Sequence, residues 1–344
     1  MRRAGDLARN LDFTVWSLVS PGSQSAHPLR IKPAYSGADA KLGVTALAGV
    51  EMSLKHPNIA QGAAELDPRA AFFRESPAET LLRWLMGTAY ACHPSRVHEL
   101  PYLLALTLID IARGGTRVPA QSATHARPDT FAGVCRDISP ETIMAAARLG
   151  FFPWAHLGPL KWWTRKSRMV LFLNEHRVSK RLRREFKKST YRVTFDEAFD
   201  EVIQACAGRR KGRPAGLTWI THPIKWLYSD LHRQGHAHSF EVWSEDGRLV
   251  GGGYGIAVGR IFFTESQFSR ERSSSKMGFA TLNHHLAKWG FILNDGKQHT
   301  PSLEAVGFRE IKRAEFEALL NEHADVSVKQ GRWQVESGLA AIAA

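Results

Sequence analysis

Three strand-like segments separated by short turns constrain the fold of this chain more than any other feature. Residues 239–244, 249–258 and 260–265 combine β-branched, aromatic and small residues. Asp246-Gly247 separates the first two segments, and an Asp-Gly pair is a preferred hairpin turn. A second glycine-containing turn separates the last two. The pattern predicts three consecutive antiparallel strands.

The segments around these strands complete an α+β pattern. A basic helix is predicted over 179–188, a strand over 191–195 and a helix over 195–207. After the three strands, a helix over 277–289 leads to a strand over 291–293. Helices before and after a run of strands predict an α+β domain with an acyltransferase-type sheet.

The first 130 residues differ in texture from the rest. Apolar residues cluster within 77–113 and predict two helices broken near His93-Pro94, whereas 114–131 is typical of a linker. Ser139-Pro140-Glu141 then supplies a capping serine and a proline at the first helical position, so a helix should run to about Leu149. We therefore predict four parts: an extension (1–130), a small domain (131–178), a larger domain (179–330) and a tail (331–344).

Positive charge is concentrated in one part of the chain. The formal net charge is +13, and positions 161–213 hold sixteen Lys or Arg against six Asp or Glu. A solvated basic face is the simplest alternative, but such a surplus favours a polyanionic partner through phosphate neutralisation. Ten tryptophans add stacking surfaces, and Trp154, Trp162, Trp163 and Trp219 lie near this basic segment. Aromatic rings beside cations are typical of sites for unpaired nucleic-acid ends.

Several classes of protein are disfavoured. The sequence has no apolar run of roughly 18 residues, and the arginines at positions 2 and 3 precede Asp6 rather than an apolar stretch. A cytoplasmic protein without a membrane partner is expected. Three widely spaced cysteines form no CxxC pair and predict neither a disulfide framework nor a metal site.

Many ordered motifs identify the segment from Asp137 to about Leu320. Its blocks include Asp137-Ile-Ser-Pro, Gly150-Phe-Phe-Pro-Trp, Lys161-Trp-Trp, Tyr191-Arg-Val-Thr-Phe, Thr218-Trp-Ile-Thr, Gly235-His-Ala-His-Ser, Leu249-Val-Gly-Gly-Gly-Tyr-Gly, Glu265-Ser-Gln-Phe-Ser-Arg and Gly307-Phe-Arg-Glu-Ile. This segment resembles the leucyl/phenylalanyl-tRNA–protein transferase family. The first 130 residues carry no part of the resemblance, so a divergent member with an N-terminal extension is expected.

The resemblance implies both an activity and a fold. Family members move an amino acid from its tRNA ester to the α-amino group of a protein that begins with Arg or Lys, which marks that protein for degradation. A small α/β domain precedes an acetyltransferase-like (GNAT-type) domain. A monomer that uses aminoacyl-tRNA as co-substrate and no cofactor is expected.

The resemblance also implies roles for individual residues. Trp154 and Trp219 match the tryptophans that bracket the terminal adenine of the tRNA. Asp295 matches the proton-relay aspartate, and Glu265 matches an acid near the reacting ends. The predicted tRNA-backbone surface consists of Lys180, Arg181, Arg183, Arg184, Lys187 and Lys188. Since an aminoacyl ester is already activated, alignment and a carboxylate base, worth about 10²–10⁴-fold, suffice for transfer.

The family's apolar amino-acid pocket is altered in this sequence. Gly253, Gln267 and Asn294 stand where Leu or Met, Met and Ile are usual. We expect a vacancy and two amides there, and a buried unpaired amide costs about 1–3 kcal/mol. The resulting hypothesis is that the donor carries a polar or otherwise different amino acid in place of Leu or Phe.

Two further departures concern the acceptor and the RNA. Lys297 occupies the place of a family glutamine near the acceptor amine, unless a one-residue slip places Gln298 there. A cation at that position would repel an acceptor that begins with Arg or Lys. Residues 164–168 are more basic than the usual Ser-Pro-Asp-Pro-Arg, which predicts equal or stronger RNA binding. Ala147 replaces a family tyrosine seven residues before Trp154.

Three functions therefore remain open. The first is aminoacyl-tRNA-dependent transfer to the N-terminal amine of a peptide or protein. The second retains the tRNA donor and uses a small-molecule amine as acceptor. The third is a tRNA-binding protein without catalytic activity.

Overall fold

The computed structural model describes residues 67–125, 128, 130–156, 158–208, 216–336 and 342. The chain divides into two units, one of Val19–Phe72 and one of Met1–Leu18 with Phe73–Ala344. The described part of the smaller unit contains helix α1 (Pro68–Phe72). The predicted extension before residue 67 lies outside the described residues, as does most of the tail after residue 336.

The other described elements belong to the larger unit. Its helices are α2 (Pro77–Ala91), α3 (Leu100–Ala112), α4 (Pro140–Arg148), α5 (Lys180–Lys188), α6 (Phe199–Ala207), α7 (His222–Arg233), α8 (Ser274–Lys288), α9 (Pro301–Glu304) and α10 (Arg313–His323). Its strands are β1 (Phe131–Val134), β2 (Phe152–Trp154), β3 (Lys161–Trp163), β4 (Ser167–Phe172), β5 (Arg192–Phe195), β6 (Ala237–Trp243), β7 (Leu249–Val258), β8 (Ile261–Ser269), β9 (Leu293–Asp295) and β10 (Arg309–Lys312).

These strands form two sheets within the described residues. The smaller sheet has the order β1-β3-β2 and is antiparallel. The larger has the order β10-β4-β9-β8-β7-β6-β5, in which only β8 and β9 run parallel, with α8 connecting them. The architecture is therefore mixed α/β, with a βαβ unit inside an otherwise antiparallel sheet.

Most of the predicted elements are present, with shifted ends. Strand β7 has the predicted bounds, whereas β8 continues four residues further, to Ser269. The register between β7 and β8 shifts because Tyr254 faces Ser266 while the next residue faces Thr264, which leaves Glu265 as an inserted residue. The predicted strand at 291–293 lies instead at β9, two residues later.

Local chemistry sets the helix ends. The Ser139 hydroxyl accepts a hydrogen bond from the Thr142 amide at 3.3 Å, which caps α4 as predicted. Gly150 follows that helix with a φ of 79°, a conformation that glycine adopts without strain. Helix α6 begins four residues after the predicted start, since Asp196 turns the chain with a φ of 56°.

Two apolar layers cover the larger sheet. On one face, Phe263 and Ile256 pack with Leu227 of α7. On the other face, Phe240 and Phe262 pack with Leu282 of α8 and its neighbours. Complete burial of each such side chain contributes roughly 1.5–3 kcal/mol, so the two layers hold the sheet rigidly between helices.

The segment predicted as a linker contacts the small sheet. The Thr116 amide donates to the carbonyl of Val134 at 2.8 Å, and the Arg136 amide donates to the carbonyl of Thr116 at 3.1 Å. The carboxylate of Asp110 accepts from the Val134 amide at 2.5 Å. Residues 110–116 are therefore bonded to β1, and the domain boundary at residue 130 stays a prediction. Strand β4, assigned by prediction to the small domain, joins the larger sheet.

Within the part of the chain that the structure describes, no helix has both the length and the apolar character needed to cross a bilayer.

Candidate active site

Asp295 ends β9 in a fully buried ion pair with Arg168 of β4. The guanidinium contacts both carboxylate oxygens, with Nε donating to Oδ1 at 3.2 Å and Nη2 donating to Oδ2. Its Nη1 donates to the carbonyl of Gly150 at 2.7 Å. Arg168 therefore connects the turn before β2 to the end of β9, and it holds Asp295 in one orientation.

Lys297 forms a second buried ion pair, with Glu265. The Lys297 backbone has a φ of 65°, and its amide donates to the Asp295 carboxylate at 2.8 Å. The next residue points elsewhere, since the Gln298 amide oxygen accepts from Arg165 at 2.7 Å. Lys297, and not Gln298, is thus the residue that faces Glu265. Asp295, Arg168, Glu265 and Lys297 are hereafter the charged core.

Tyr228 connects the charged core to Trp219. The buried Tyr228 ring lies 6.3 Å from that of Trp219, edge to face, and 5.2 Å from that of Tyr254. Burial, together with the nearby Glu265 carboxylate, raises the pKa of Tyr228 well above its usual value. Tyr228 therefore stays a neutral hydroxyl beside Glu265.

Phe152 of β2 links Trp154 to the charged core. Phe152, two residues earlier on the same strand, lies 5.5 Å from the Lys297 ammonium and 5.7 Å from the Arg168 guanidinium. Phe152 and Trp154 belong to one cluster with Trp163, whose indole N–H donates to the Trp154 carbonyl at 3.0 Å. Trp154 and Trp219 both remain partly exposed. Contacts thus connect the charged core to both of the predicted adenine-binding tryptophans.

The three predicted pocket residues lie on the α8 side of the sheet. Asn294 is fully buried, accepts from the Thr264 hydroxyl at 2.7 Å and donates to the Asn283 amide oxygen of α8 at 2.6 Å. Since side chains alternate along a strand, Asn294 and its neighbour Asp295 face opposite sides. Asn283 retains a side-chain nitrogen that is buried without a partner, and this residue was not predicted.

The vacancy expected at Gly253 is filled. An added Cβ at Gly253 would lie 2.7 Å from the Phe240 ring and from the Gln267 side chain. An added Cβ at Gly278 of α8 would lie 2.5 Å from the same ring. Phe240 therefore occupies the space between two glycines, and the expectation of an open hole was wrong. Assignment of Gly253, Gln267 and Asn294 to an amino-acid pocket stays a prediction.

Helix α5 presents a row of cations. Phe186 and Leu182 pack against Met277 and Ala280 of α8, which fixes the apolar face of α5. The exposed cations on the helix are Lys180, Arg181, Arg184, Lys187 and Lys188. Arg183 is only partly exposed and donates to the Val178 carbonyl at 3.2 Å. Five of the six predicted tRNA-backbone residues thus reach solvent on one helix.

Most of the cations in the basic segment after Trp163 are withdrawn from the surface, and the contribution of this segment to RNA binding stays a prediction. Arg168 is 1 % exposed and paired with Asp295, while Arg165 binds Gln298. Lys166 is the cation of this segment that is exposed. Lys161 is also buried, and burial lowers its pKa to about 8. Counting charges in the sequence does not show which side chains are buried, so these residues were assigned to a surface.

Sequence reasoning missed Arg168, Tyr228 and Asn283 as site residues. Arg168 coincides with the last residue of the family's Ser-Pro-Asp-Pro-Arg motif, so the motif itself carried a signal. Tyr228 lies one turn after Ile224 on the buried face of α7, a spacing that indicates a core position. Among the described residues, no group of three or more His, Cys, Asp or Glu is arranged to hold a metal ion.

Comparisons with known proteins agree with the sequence motifs. Residues 170–321 match the family described as leucyl/phenylalanyl-tRNA protein transferase, and residues 136–166 match its N-terminal domain. A leucyl/phenylalanyl-tRNA–protein transferase of Stutzerimonas stutzeri is 48% identical over 60% of this chain and 90% of its own length. One of Pseudomonas syringae is 47% identical over 55% of this chain and 82% of its own. Among solved structures, FemX aligns with 43% of this chain and 60% of its own at 13% identity and a TM-score of 0.33.

Proposed function

Because the chain belongs to the leucyl/phenylalanyl-tRNA–protein transferase family, we propose that it transfers an aminoacyl group from a charged tRNA to the N-terminal amine of a peptide or protein. The observation that carries this proposal is the charged core, which contacts connect to both Trp154 and Trp219. Both predicted catalytic carboxylates belong to it. The βαβ unit of β8, α8 and β9 supports describing the larger domain as acetyltransferase-like.

The reaction requires alignment and one proton transfer. The amine nitrogen attacks the ester carbonyl carbon, an amide bond forms, and the bond to the ribose oxygen breaks. The attacking amine loses one proton and the departing ribose hydroxyl gains one, so the exchange is balanced without ATP. Alignment of the two reactants supplies much of the rate enhancement.

We assign the proton-accepting role to Glu265 and a positioning role to Asp295. Asp295 is fully buried and satisfied by Arg168 and the Lys297 amide, so it orients those groups and does not meet the substrate. The Glu265 carboxylate lies beside Lys297 and Tyr228. The Lys297 ammonium and the neutral Tyr228 hydroxyl would stabilise negative charge on the ester oxygen.

The donor is proposed to carry a small polar side chain. Phe240 reduces the space beside Gly253, and the buried amides of Asn294 and Asn283 favour a hydrogen-bonding side chain over Leu or Phe. Replacing Asn294 with Ile restores the usual apolar residue and should shift donor choice towards leucyl-tRNA. An unchanged donor profile would contradict this assignment.

The first experiment combines purified protein, a total pool of charged tRNA and peptides with varied first residues, without ATP. Mass spectrometry then identifies which peptide gained which residue. Transfer that is lost in Glu265→Gln supports the proposal. If no peptide changes, and the esters are consumed only after a pool of small amines is added, the acceptor is a small amine. If tRNA binds and every ester survives, the protein is a tRNA binder without catalysis.

A further inference from the structure

Helices α2 and α3, which precede the family-matched residues, place an aromatic group against Trp154. The Tyr90 ring, at the end of α2, lies 6.4 Å from the Trp154 ring and 4.6 Å from the His156 ring. His156 itself lies 4.6 Å from Trp154. The Arg96 guanidinium lies 4.0 Å from the centre of the Tyr90 ring. Tyr90, His156 and Arg96, all partly exposed, are hereafter the hairpin platform.

Helices α2 and α3 form a helical hairpin, which packs near both predicted adenine-binding tryptophans. On the Trp154 side, Leu103 and Leu106 of α3 pack against the cluster of aromatic rings that includes Trp154. On the other side, an added Cβ at Gly216 would lie 2.8 Å from Leu82 of α2, so α2 passes close to the segment that leads to Trp219. The platform is therefore held in a fixed position by the packing of α3 on the Trp154 cluster and of α2 beside Gly216.

We infer that the hairpin platform binds the unpaired nucleotide that precedes the terminal adenosine of the tRNA. This inference rests on the proposed function, because it requires the terminal adenine to lie at Trp154. The preceding nucleotide is covalently attached to that adenosine. Of the rings next to Trp154, Trp163 is buried, whereas those of Tyr90 and His156 are partly exposed. Aromatic rings with an adjacent guanidinium provide stacking surfaces and a cation for the phosphate.

The alternative is that Tyr90 only packs the hairpin against Trp154. Packing alone predicts that loss of Tyr90 weakens all RNA ligands to the same degree. A nucleotide site predicts a loss that depends on whether that one nucleotide is present. Stepwise shortening of the RNA separates the two.

The test measures the binding of uncharged tRNA with its 3′ end intact, shortened by one nucleotide and shortened by two. The wild-type protein should lose affinity at the first step through Trp154 and Trp219. Removal of the second nucleotide should lower the affinity by about a further tenfold, which is the size of effect expected from one base–aromatic stacking contact. Tyr90→Ala should keep the first loss and reduce the second to less than about twofold. Leu81→Ala, an exposed apolar substitution on the same helix, should behave as wild type.

Two further variants keep the test decisive if Tyr90→Ala unfolds. Tyr90→Phe retains the ring and should retain the second loss, whereas Arg96→Gln should diminish it. An equal second loss in wild type and Arg96→Gln, or no second loss in wild type, would overturn the inference. Binding of uncharged tRNA does not require transfer activity. If the binding test gives the expected losses but the protein transfers no amino acid, the proposed function is refuted and the nucleotide site is not.

Discussion

The Lys297 ammonium neutralises the Glu265 carboxylate in a buried ion pair. Because this pair has no net charge, the site lacks the free carboxylate that would attract a cationic first residue of the acceptor. The cation predicted to repel such acceptors is itself compensated. We therefore expect charge complementarity not to favour acceptors that begin with Arg or Lys.

Lys297→Gln should restore that preference. The substitution frees the Glu265 carboxylate, so the ratio of kcat/KM for an Arg-started peptide to that for an Ala-started peptide should rise about tenfold, or ~1.4 kcal/mol. The measurement is a competition between the two peptides for one charged tRNA pool. Lys166→Gln, at an exposed lysine, is the matched control and should leave the ratio unchanged. An unchanged ratio in Lys297→Gln would contradict the interpretation.

Asp295→Asn should impair both stability and transfer. It leaves the Arg168 guanidinium buried without a counter-charge, which costs about 3–5 kcal/mol of unfolding free energy. Transfer should fall by about 10² or more, since Lys297 and Arg168 lose their common partner. The measurements are denaturant unfolding and single-turnover transfer.

The double variant Arg168→Met/Asp295→Leu separates these two effects. Replacing a buried pair with apolar residues is often neutral for stability, so unfolding should return close to wild type while transfer stays low. Recovery of transfer in the double variant would show that Asp295 acts only through stability.

The local patterns in the sequence were sufficient for most of the larger sheet. Strand β7 was predicted correctly because a long β-rich run follows an Asp-Gly turn. Strands β2 and β3 contain three residues each, too few for a period, and their pairing depends on distant residues. Helix α7 was missed although Pro223 stands in its first turn.

The candidate site was predictable as a set of residues but not as a set of contacts. The motifs identified Asp295 and Glu265, and the structure places both in the charged core. The partners could not be deduced, because Arg168 lies 127 residues from Asp295 in the chain and its charge was counted towards an RNA-facing surface. Phe240, which fills the expected vacancy at Gly253, likewise depends on a contact between separate strands.

The exposed cations of α5 should determine the salt dependence of tRNA binding. A Lys180→Ala/Arg184→Ala/Lys188→Ala variant should reduce the slope of log K against log salt concentration by roughly 2–3, since each phosphate contact contributes about 0.7–0.9. Titrations of tRNA at several salt concentrations measure this slope. Triple substitution of Arg270, Lys312 and Lys329, exposed cations on other segments, removes the same charge and should change the slope little. Equal effects of the two variants would exclude α5 as the tRNA surface.

Glu241 should make the protein less stable as the pH rises towards neutrality. Burial raises the pKa of this carboxyl to about 7, although the Ser239 and Thr194 hydroxyls both donate to it. The folded state therefore binds a proton that the unfolded chain has released above about pH 4.5, so the stabilisation is complete below that pH and is lost as the pH rises through about 7. Glu241→Gln cannot titrate and should remove this loss of stability, which is on the order of 3 kcal/mol across the window. Denaturant unfolding of both proteins from pH 4.5 to 8 measures the difference, and parallel curves would contradict the assignment.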